Sequence, residues 1–205
     1  MNKTAAILLL CTAIFAQQKG TFTDSRDKKI YKTVKIGEQV WMAENLNYEV
    51  EGSKCYKNTT ENCDKYGRLY NWETAMKSCP AGWHLPSKAE WEVLVTTAGG
   101  EKIAGKYLKA TSGWNDYAGK SGNGEDKFGF SALPGGFGSL VNDDFNMKVG
   151  YGGHWWSSSE INKLDAHARY IYNDFEKVYY NEGDKIGMYS VRCLQDPAPP
   201  KGEAK

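Results

Sequence analysis

Two stretches decide the fold of this chain: Cys79-Pro80-Ala81-Gly82-Trp83-His84-Leu85-Pro86 in the middle and Ser190-Val191-Arg192-Cys193 near the end. The first places a cysteine before a tight turn and the start of a helix. The second is a strand-like run that ends on a cysteine. If the two cysteines bond, the end of the chain is tied to its middle, and the protein belongs to an oxidising compartment.

The clearest local signal follows the first stretch. Ser87 is a predicted N-cap, and Glu90 three residues later completes a capping box. Pro86 disfavours a helix that runs through from upstream, and Gly99-Gly100 is expected to end the helix. The apolar stripe of this helix is predicted to be buried and consists of Trp91, Leu94 and Val95.

The remaining chain predicts short helices and strands separated by turns. A hairpin is expected over residues 30–42, with Ile30, Val34 and Ile36 on one face and a turn at Gly37-Glu38. An irregular loop is expected over residues 45–66, and a long loop rich in Gly, Asn and Asp over residues 111–126. The other predicted elements are helices at 70–78 and 102–109 and strands at 128–133, 155–159, 168–172, 177–181 and 188–194.

Composition limits the class of protein. The chain has 205 residues, 40% of them hydrophobic, which suits one globular domain with its own core. The formal net charge is +1, so composition offers no basis for nucleic-acid binding or for electrostatic attachment to a membrane.

The first residues resemble a secretory signal. Lys3 supplies a positive start, and Ala5–Phe15 is an apolar run too short to span a bilayer. The predicted organisation is a signal peptide at 1–16, a single domain at 17–196 and a disordered tail at 197–205. We therefore expect the protein to be secreted or held at the cell envelope or outer surface. A lipidated Cys11 is the alternative and would attach the chain to a membrane.

Removal of residues 1–16 leaves the cysteines Cys55, Cys63, Cys79 and Cys193. Four cysteines allow three pairings. The segment between Cys55 and Cys63 is short, polar and turn-forming, so we expect these two to pair. A zinc site is not expected, because the cysteines lack close ligand spacing and the three histidines are scattered.

Several motifs occur in an order that resembles a known family. They are Tyr70-Asn71-Trp72, Cys79–Pro86, Glu90-Trp91, Gly129–Gly136, Trp155–Glu160 and Val191-Arg192-Cys193. Together they resemble the Fibrobacter succinogenes major paralogous domain over residues 21–195. Members of that family are typically secreted or surface proteins of bacteria whose molecular activity is largely unassigned. The resemblance implies that Cys79 pairs with Cys193, through the family's terminal cysteine.

The same order of motifs is distantly similar to the C-type-lectin-like and formylglycine-generating-enzyme folds. This similarity implies a single α+β domain, with short helices packed on a twisted antiparallel sheet and two disulfides. The copper-binding cysteine pair of the formylglycine-generating enzymes has no counterpart, because Cys193 is the only late cysteine. The similarity informs the fold and does not carry function.

The 111–126 loop contains side chains that suit calcium. Calcium prefers hard oxygen ligands on a flexible loop. The predicted calcium ligands are Asp116, Asn123, Glu125 and Asp126. The alternative is a solvated acidic loop without a metal.

Aromatic residues in and beside this loop suggest a carbohydrate site. The predicted ligand-binding residues are Trp114, Asp116, Tyr117, Asn123, Asp126, Trp155 and Trp156. Adjacent residues on a strand point to opposite faces. We therefore expect one of Trp155 and Trp156 in the core and the other at the binding surface. The alternative is that most of these rings belong to the core.

These features predict a non-catalytic binding module for a polysaccharide or a surface protein. The alternatives are an extracellular enzyme, such as a carbohydrate-active one, and a structural or adhesive surface component. His154, His167, Ser157–Ser159 and Glu160 invite a hydrolytic interpretation, but the chain has no nucleophile-elbow sequence. No catalytic residue is therefore predicted.

Overall fold

The computed structural model describes residues 18–139 and 145–198. The predicted signal peptide, the alternative lipidation site Cys11 and residues 199–205 of the predicted tail lie outside the described residues. Within the described ranges the fold is α+β, with helices packed on two sheets and two disulfides.

The elements are short. The strands are β1 (Lys19–Thr23), β2 (Ile30–Ile36), β3 (Gln39–Met42), β4 (Ser53–Lys54), β5 (Leu69–Tyr70), β6 (Trp83–His84), β7 (Gly138–Ser139), β8 (Gly152–Glu160), β9 (Asp165–Tyr172), β10 (Val178–Asp184), β11 (Gly187–Ser190) and β12 (Leu194–Gln195). The helices are α1 (Thr60–Tyr66), α2 (Trp72–Ser78), α3 (Lys88–Thr97) and α4 (Glu101–Leu108), with a 3-10 turn at Tyr56–Asn58.

The strands form two sheets that share the end of the chain. The first sheet has the order β1-β2-β3-β12-β6, and the second has the order β10-β9-β8-β11-β5-β4, with β7 also paired to β11. The chain crosses from one sheet to the other between β11 and β12, so the single strand predicted at 188–194 is two strands. The second sheet is mixed, because β11 runs parallel to β8 at Ser190 and Trp155.

The predicted hairpin at 30–42 is confirmed as β2 and β3, with Val34 opposite Trp41. Val34 and Ile36 are buried, but Ile30 is 67% exposed, so its predicted place on the buried face is wrong. Lys32, which lies between Ile30 and Val34 on the same face, is exposed too. On this face of the strand, other parts of the protein therefore pack only against the residues from Val34 onward.

The prediction of a strand at residues 128–133 is also wrong. Gly129 and Ser131 have positive φ angles of 70° and 52°, which interrupt an extended backbone. The Asp126 carboxylate holds this bend, because it accepts hydrogen bonds from both the backbone N–H and the hydroxyl of Ser131, at 2.7 and 2.6 Å. Only an isolated bridge to Lys109 is left in this segment, at Ala132.

Both predicted disulfides are confirmed. Cys55 bonds Cys63, eight residues along the chain, and Cys79 bonds Cys193, 114 residues along. The first lies within residues 45–66: residues 45–50 are irregular as predicted, whereas β4, the 3-10 turn and α1 occupy much of the rest. The second joins the end of α2 to the segment between β11 and β12.

The predicted capping box is confirmed at the start of α3. The Ser87 hydroxyl accepts a hydrogen bond from the Glu90 N–H, and the Glu90 carboxylate accepts one from the Ser87 N–H, at 3.3 and 2.7 Å. The predicted stripe of Trp91, Leu94 and Val95 is buried. Helix α3 therefore contributes to the core through the face that the sequence indicated.

The start of α3 is also joined to the end of β12 through His84. His84 Nε2 lies 2.9 Å from a Glu90 carboxylate oxygen, and Nδ1 lies 2.6 Å from one of Asp196. Carboxylate oxygens only accept, so both ring nitrogens donate and the ring is an imidazolium. Burial lowers the pKa of His84, but the hydrogen bonds to Asp196 and Glu90 outweigh burial and raise it overall. We call these three residues the His84 clasp.

The His84 clasp is expected to contribute stability at low pH and to lose it as pH rises. Because the native pKa is raised, the contribution is complete below the unfolded value of about 6.5 and is lost as pH rises through the native pKa. The difference in unfolding free energy between the wild type and His84→Gln should therefore shrink between about pH 6 and about pH 9. Urea unfolding at both pH values measures it. His167→Gln is the control, because burial lowers the pKa of His167. If the wild type is more stable than His84→Gln by the same amount at the higher pH, the proposed contribution of the His84 clasp is contradicted.

Candidate functional site

A cavity of about 480 Å³ opens between the 111–126 loop and the turn that joins β9 to β10. Three segments line it: the end of α4, the loop between residues 117 and 125, and residues 173–176. We call it the loop cavity. Its volume falls within the range of small-molecule sites in proteins.

The loop is fixed by the end of α4. The last carbonyl groups of a helix have no partner within the helix. Successive loop N–H groups bond two of these carbonyl groups and those of the two residues after the helix: Gly124 donates to Ala110 O, Glu125 to Lys106 O, Asp126 to Lys109 O and Lys127 to Tyr107 O, at 2.8–3.1 Å. A Cβ atom at Gly124 would lie 2.4 Å from Lys109 O, so only glycine allows this close approach. The long loop is therefore a built part of the fold.

The tip of the loop presents an aromatic ring. Tyr117 and Lys120 exchange both backbone hydrogen bonds at 2.9 Å, and the residues between them, Ala118 and Gly119, have φ angles of 48° and 76°. Two positive φ angles at these positions are typical of a tight hairpin turn. The Tyr117 side chain beside this turn is 57% exposed.

The three predicted tryptophans are buried. Trp114, Trp155 and Trp156 are 3%, 1% and 0% exposed. Their indole N–H groups donate inside the protein, to Ala132 O, Asn45 Oδ1 and Tyr70 O respectively. Trp155 and Trp156 do point to opposite faces of β8, but a separate hydrophobic cluster covers each face. The expectation that one of the pair lies at a surface is therefore wrong, and none of the three offers a ring face to a ligand.

The predicted calcium ligands are not brought together as a metal site. Asp126 holds Ser131, Asn123 Oδ1 accepts from the Trp114 N–H at 3.0 Å, and Glu125 pairs with Lys106 at 3.2 Å. Asp116 is exposed. Within residues 18–139 and 145–198, no group of three or more His, Cys, Asp or Glu side chains is placed to hold a metal ion. The predicted calcium ligands Asp116, Glu125 and Asp126 therefore do not form a common cluster in this part of the chain.

The loop cavity collects some predicted residues and adds others. Tyr117, Asn123 and Glu125 line it, whereas Asp116 and Asp126 do not. Sequence reasoning missed Asn173 and Phe175, which come from the turn after β9. Phe175 is 50% exposed. The sequence signal for Phe175 is an aromatic residue within a polar turn that directly follows an apolar strand.

The charges of the cavity are balanced. Its lining holds three lysines and three carboxylates: Lys106, Lys109, Lys120, Glu125, Asp174 and Glu176. Lys106 Nζ lies 3.2 Å from Glu125 and 3.6 Å from Glu176, and the hydrogen bond to Glu125 raises the pKa of Lys106.

Lys109 is buried beneath the same cavity. Its ammonium donates to the carbonyl oxygens of Tyr172 and Phe175, at 3.4 and 3.2 Å, and lies 5.3 Å from the centre of the Trp114 ring. Burial lowers the pKa of Lys109. These contacts tie the β9–β10 turn to the loop.

The residues of the hydrolytic interpretation serve other purposes. His154 is 1% exposed, and burial lowers its pKa to about 3. The Ser157 hydroxyl accepts from the Ser159 N–H at 3.1 Å, and the Ser159 hydroxyl accepts from the Lys88 N–H at 2.9 Å. His167 bonds the Tyr180 hydroxyl. None of these contacts pairs a serine with a histidine.

A second cavity of about 430 Å³ lies beside the Cys55–Cys63 disulfide. Charged and amide side chains line it, including Lys29, Glu49 and Arg68, and its described lining includes no aromatic ring. The loop cavity is therefore the better candidate for a ligand with an apolar face.

Comparisons with known proteins identify the family. No helix in the described ranges has the length and apolar character needed to cross a membrane. No curated protein and no solved structure shows a significant match to the chain. A family model, the Fibrobacter succinogenes major domain, matches residues 34–195. The chain therefore belongs to the Fibrobacter succinogenes major domain family.

Proposed function

We propose that this protein is a non-catalytic binding module that holds a polysaccharide in the loop cavity. The observation that carries the proposal is the pair of exposed rings, Tyr117 at 57% and Phe175 at 50%, in the lining of a polar cavity. A sugar ring has an apolar face and a polar rim. A site that combines aromatic rings with a few placed polar groups suits both.

We also propose that the protein works outside the cytoplasm, as a secreted or surface-attached module. The two disulfides support this location, because such bonds persist in oxidising compartments. A signal peptide at residues 1–16 is the proposed route. The order of the motifs supports a C-type-lectin-like or formylglycine-generating-enzyme-like arrangement of the α+β fold.

The double variant Tyr117→Ala and Phe175→Ala tests the binding site. We expect retention on insoluble cellulose, xylan or mannan to fall at least about tenfold, because the apolar faces of the sugar rings lose both of their aromatic partners. Both side chains are about half exposed, so the free energy of unfolding should fall by roughly 1–3 kcal/mol for the pair, half of what two fully buried rings would cost. A pull-down with each polysaccharide, together with urea unfolding, measures both quantities.

Leu164→Ala is the matched control. Leu164 is 72% exposed and precedes β9, whereas Phe175 follows the other end of that strand. Retention should survive this change. Equal retention of the wild type and the double variant contradicts the proposal. Release of new reducing ends from the polysaccharide favours the enzyme alternative, and retention on cells alone favours a surface protein as the ligand.

A further inference from the structure

Two asparagines in the lining of the loop cavity have fixed orientations. Asn123 and Asn173 come from two different segments of the lining, the loop and the β9–β10 turn. A carboxamide carries an acceptor oxygen at one end and a donor nitrogen at the other. A hydrogen bond to the main chain at one end therefore decides which group remains for a ligand.

The two asparagines are held in opposite senses. Asn123 Oδ1 accepts from the Trp114 N–H at 3.0 Å, which leaves Nδ2 as a donor. Asn173 Nδ2 donates to Asn115 O at 3.0 Å, which leaves Oδ1 as an acceptor. A backbone N–H only donates and a carbonyl only accepts, so neither carboxamide is ambiguous.

Neither remaining atom is buried without a hydrogen-bond partner. The described residues contain four buried side-chain polar atoms without a hydrogen-bond partner: Asp27 Oδ2, Arg68 Nε, His154 Nδ1 and Arg169 NH2. Asn123 Nδ2 and Asn173 Oδ1 are not among them, although neither makes a hydrogen bond within residues 18–139 and 145–198. The loop cavity thus presents one donor and one acceptor that are already oriented before a ligand arrives.

The charges of the lining cancel, and two of its three lysines are engaged within the protein, so Lys120 is the cavity lysine that remains for an anionic ligand among the described residues. The Lys106 ammonium is shared by Glu125 and Glu176, and the Lys109 ammonium is held by two carbonyl oxygens. An anionic ligand would also meet the Asp174 carboxylate in the same lining. Bringing like charges together in a partly desolvated site costs free energy.

We infer that the loop cavity selects an uncharged saccharide, whose hydroxyl groups accept from Asn123 Nδ2 and donate to Asn173 Oδ1. This inference rests on the proposed function and names its substrate class. A hydroxyl both donates and accepts, so it satisfies either amide. The carboxylate of a uronic acid only accepts, so it cannot satisfy Asn173 Oδ1.

Asn123→Asp tests the inference with little structural change. The aspartate keeps an oxygen for the Trp114 N–H and replaces only the Nδ2 donor by a charged acceptor. We expect affinity for neutral gluco-, xylo- and manno-oligosaccharides, measured by calorimetry, to fall at least about tenfold. Asn181→Asp is the matched control: Asn181 is exposed, its Oδ1 also accepts from a backbone N–H, and it lies outside the cavity.

The wild type is also expected to bind these neutral oligosaccharides at least about tenfold more tightly than oligogalacturonate. Equal or tighter binding of the acidic oligosaccharide overturns the inference and leaves polysaccharide binding standing. The inference is also overturned, with polysaccharide binding left standing, if the Tyr117 and Phe175 double variant loses retention while Asn123→Asp binds the neutral oligosaccharides as tightly as the wild type. Retention of no polysaccharide by the wild type overturns the proposed function and the inference together.

Discussion

Replacing Arg192 by methionine is expected to lower the free energy of unfolding by at least about 4 kcal/mol. The guanidinium is completely buried. It donates to Asn45 Oδ1 at 2.8 and 3.0 Å, to Met42 O at 3.2 Å, to Ser131 O at 3.3 Å and to Phe130 O. Its removal leaves these buried acceptors short of donors, and each such group costs roughly 1–3 kcal/mol.

Burial lowers the pKa of Arg192 to about 9, because water is excluded from the charge. The carbonyl oxygens and the Phe130 ring, 4.4 Å away, compensate for the lost hydration. Arg192→Lys should also be destabilising, because an ammonium cannot reproduce the planar set of donors.

Arg68→Met is the control for this experiment. The Arg68 side chain is 13% exposed, but it pairs with Glu49, which is 80% exposed, and a pair with one largely solvated partner contributes less than a fully buried network of hydrogen bonds. Urea unfolding of both variants gives the comparison. If Arg192→Met and Arg68→Met unfold at the same urea concentration, Arg192 does not hold the core in the way described.

Removing the Cys79–Cys193 disulfide is the second large effect that we expect. In the chain-entropy model, a ring of this length contributes about 4.8 kcal/mol, against about 2.6 kcal/mol for the Cys55–Cys63 ring. The two sequence separations are 114 and 8 residues. The double variant Cys79→Ala and Cys193→Ala should therefore lose about twice the stability that Cys55→Ala and Cys63→Ala lose.

Urea unfolding of the two double variants under non-reducing conditions measures this difference. The wild type in reductant gives the combined loss. Equal losses from the two rings would contradict the chain-entropy account and indicate that strain or local packing sets the contribution of each disulfide.

Features encoded by neighbouring residues could be predicted from the sequence. The capping box of Ser87 and Glu90 needs residues three apart, and the β2–β3 hairpin needs a turn between two apolar strands. The short polar segment between Cys55 and Cys63 likewise indicated their pairing. In each case the interacting groups lie within one turn or one loop.

Features that depend on what covers a residue could not be predicted. Trp155 and Trp156 were correctly placed on opposite faces, but only the fold shows that both faces are covered. The segment 128–133 has an apolar pattern, yet the Asp126 carboxylate bends it at Ser131. Asn173 reaches the loop through Asn115, 58 residues earlier in the chain, so the second wall of the cavity had no local signal.

The crossing of the chain between β11 and β12 has a consequence for biogenesis. β11 lies inside the second sheet, between β8 and β5, and β12 lies inside the first, between β3 and β6. Neither sheet can close until residues 187–195 have left the ribosome, so the nascent polypeptide has no finished half that could fold early. Such long-range pairing folds slowly. We therefore expect the newly made chain to complete its fold only after residues 187–195 have been synthesised.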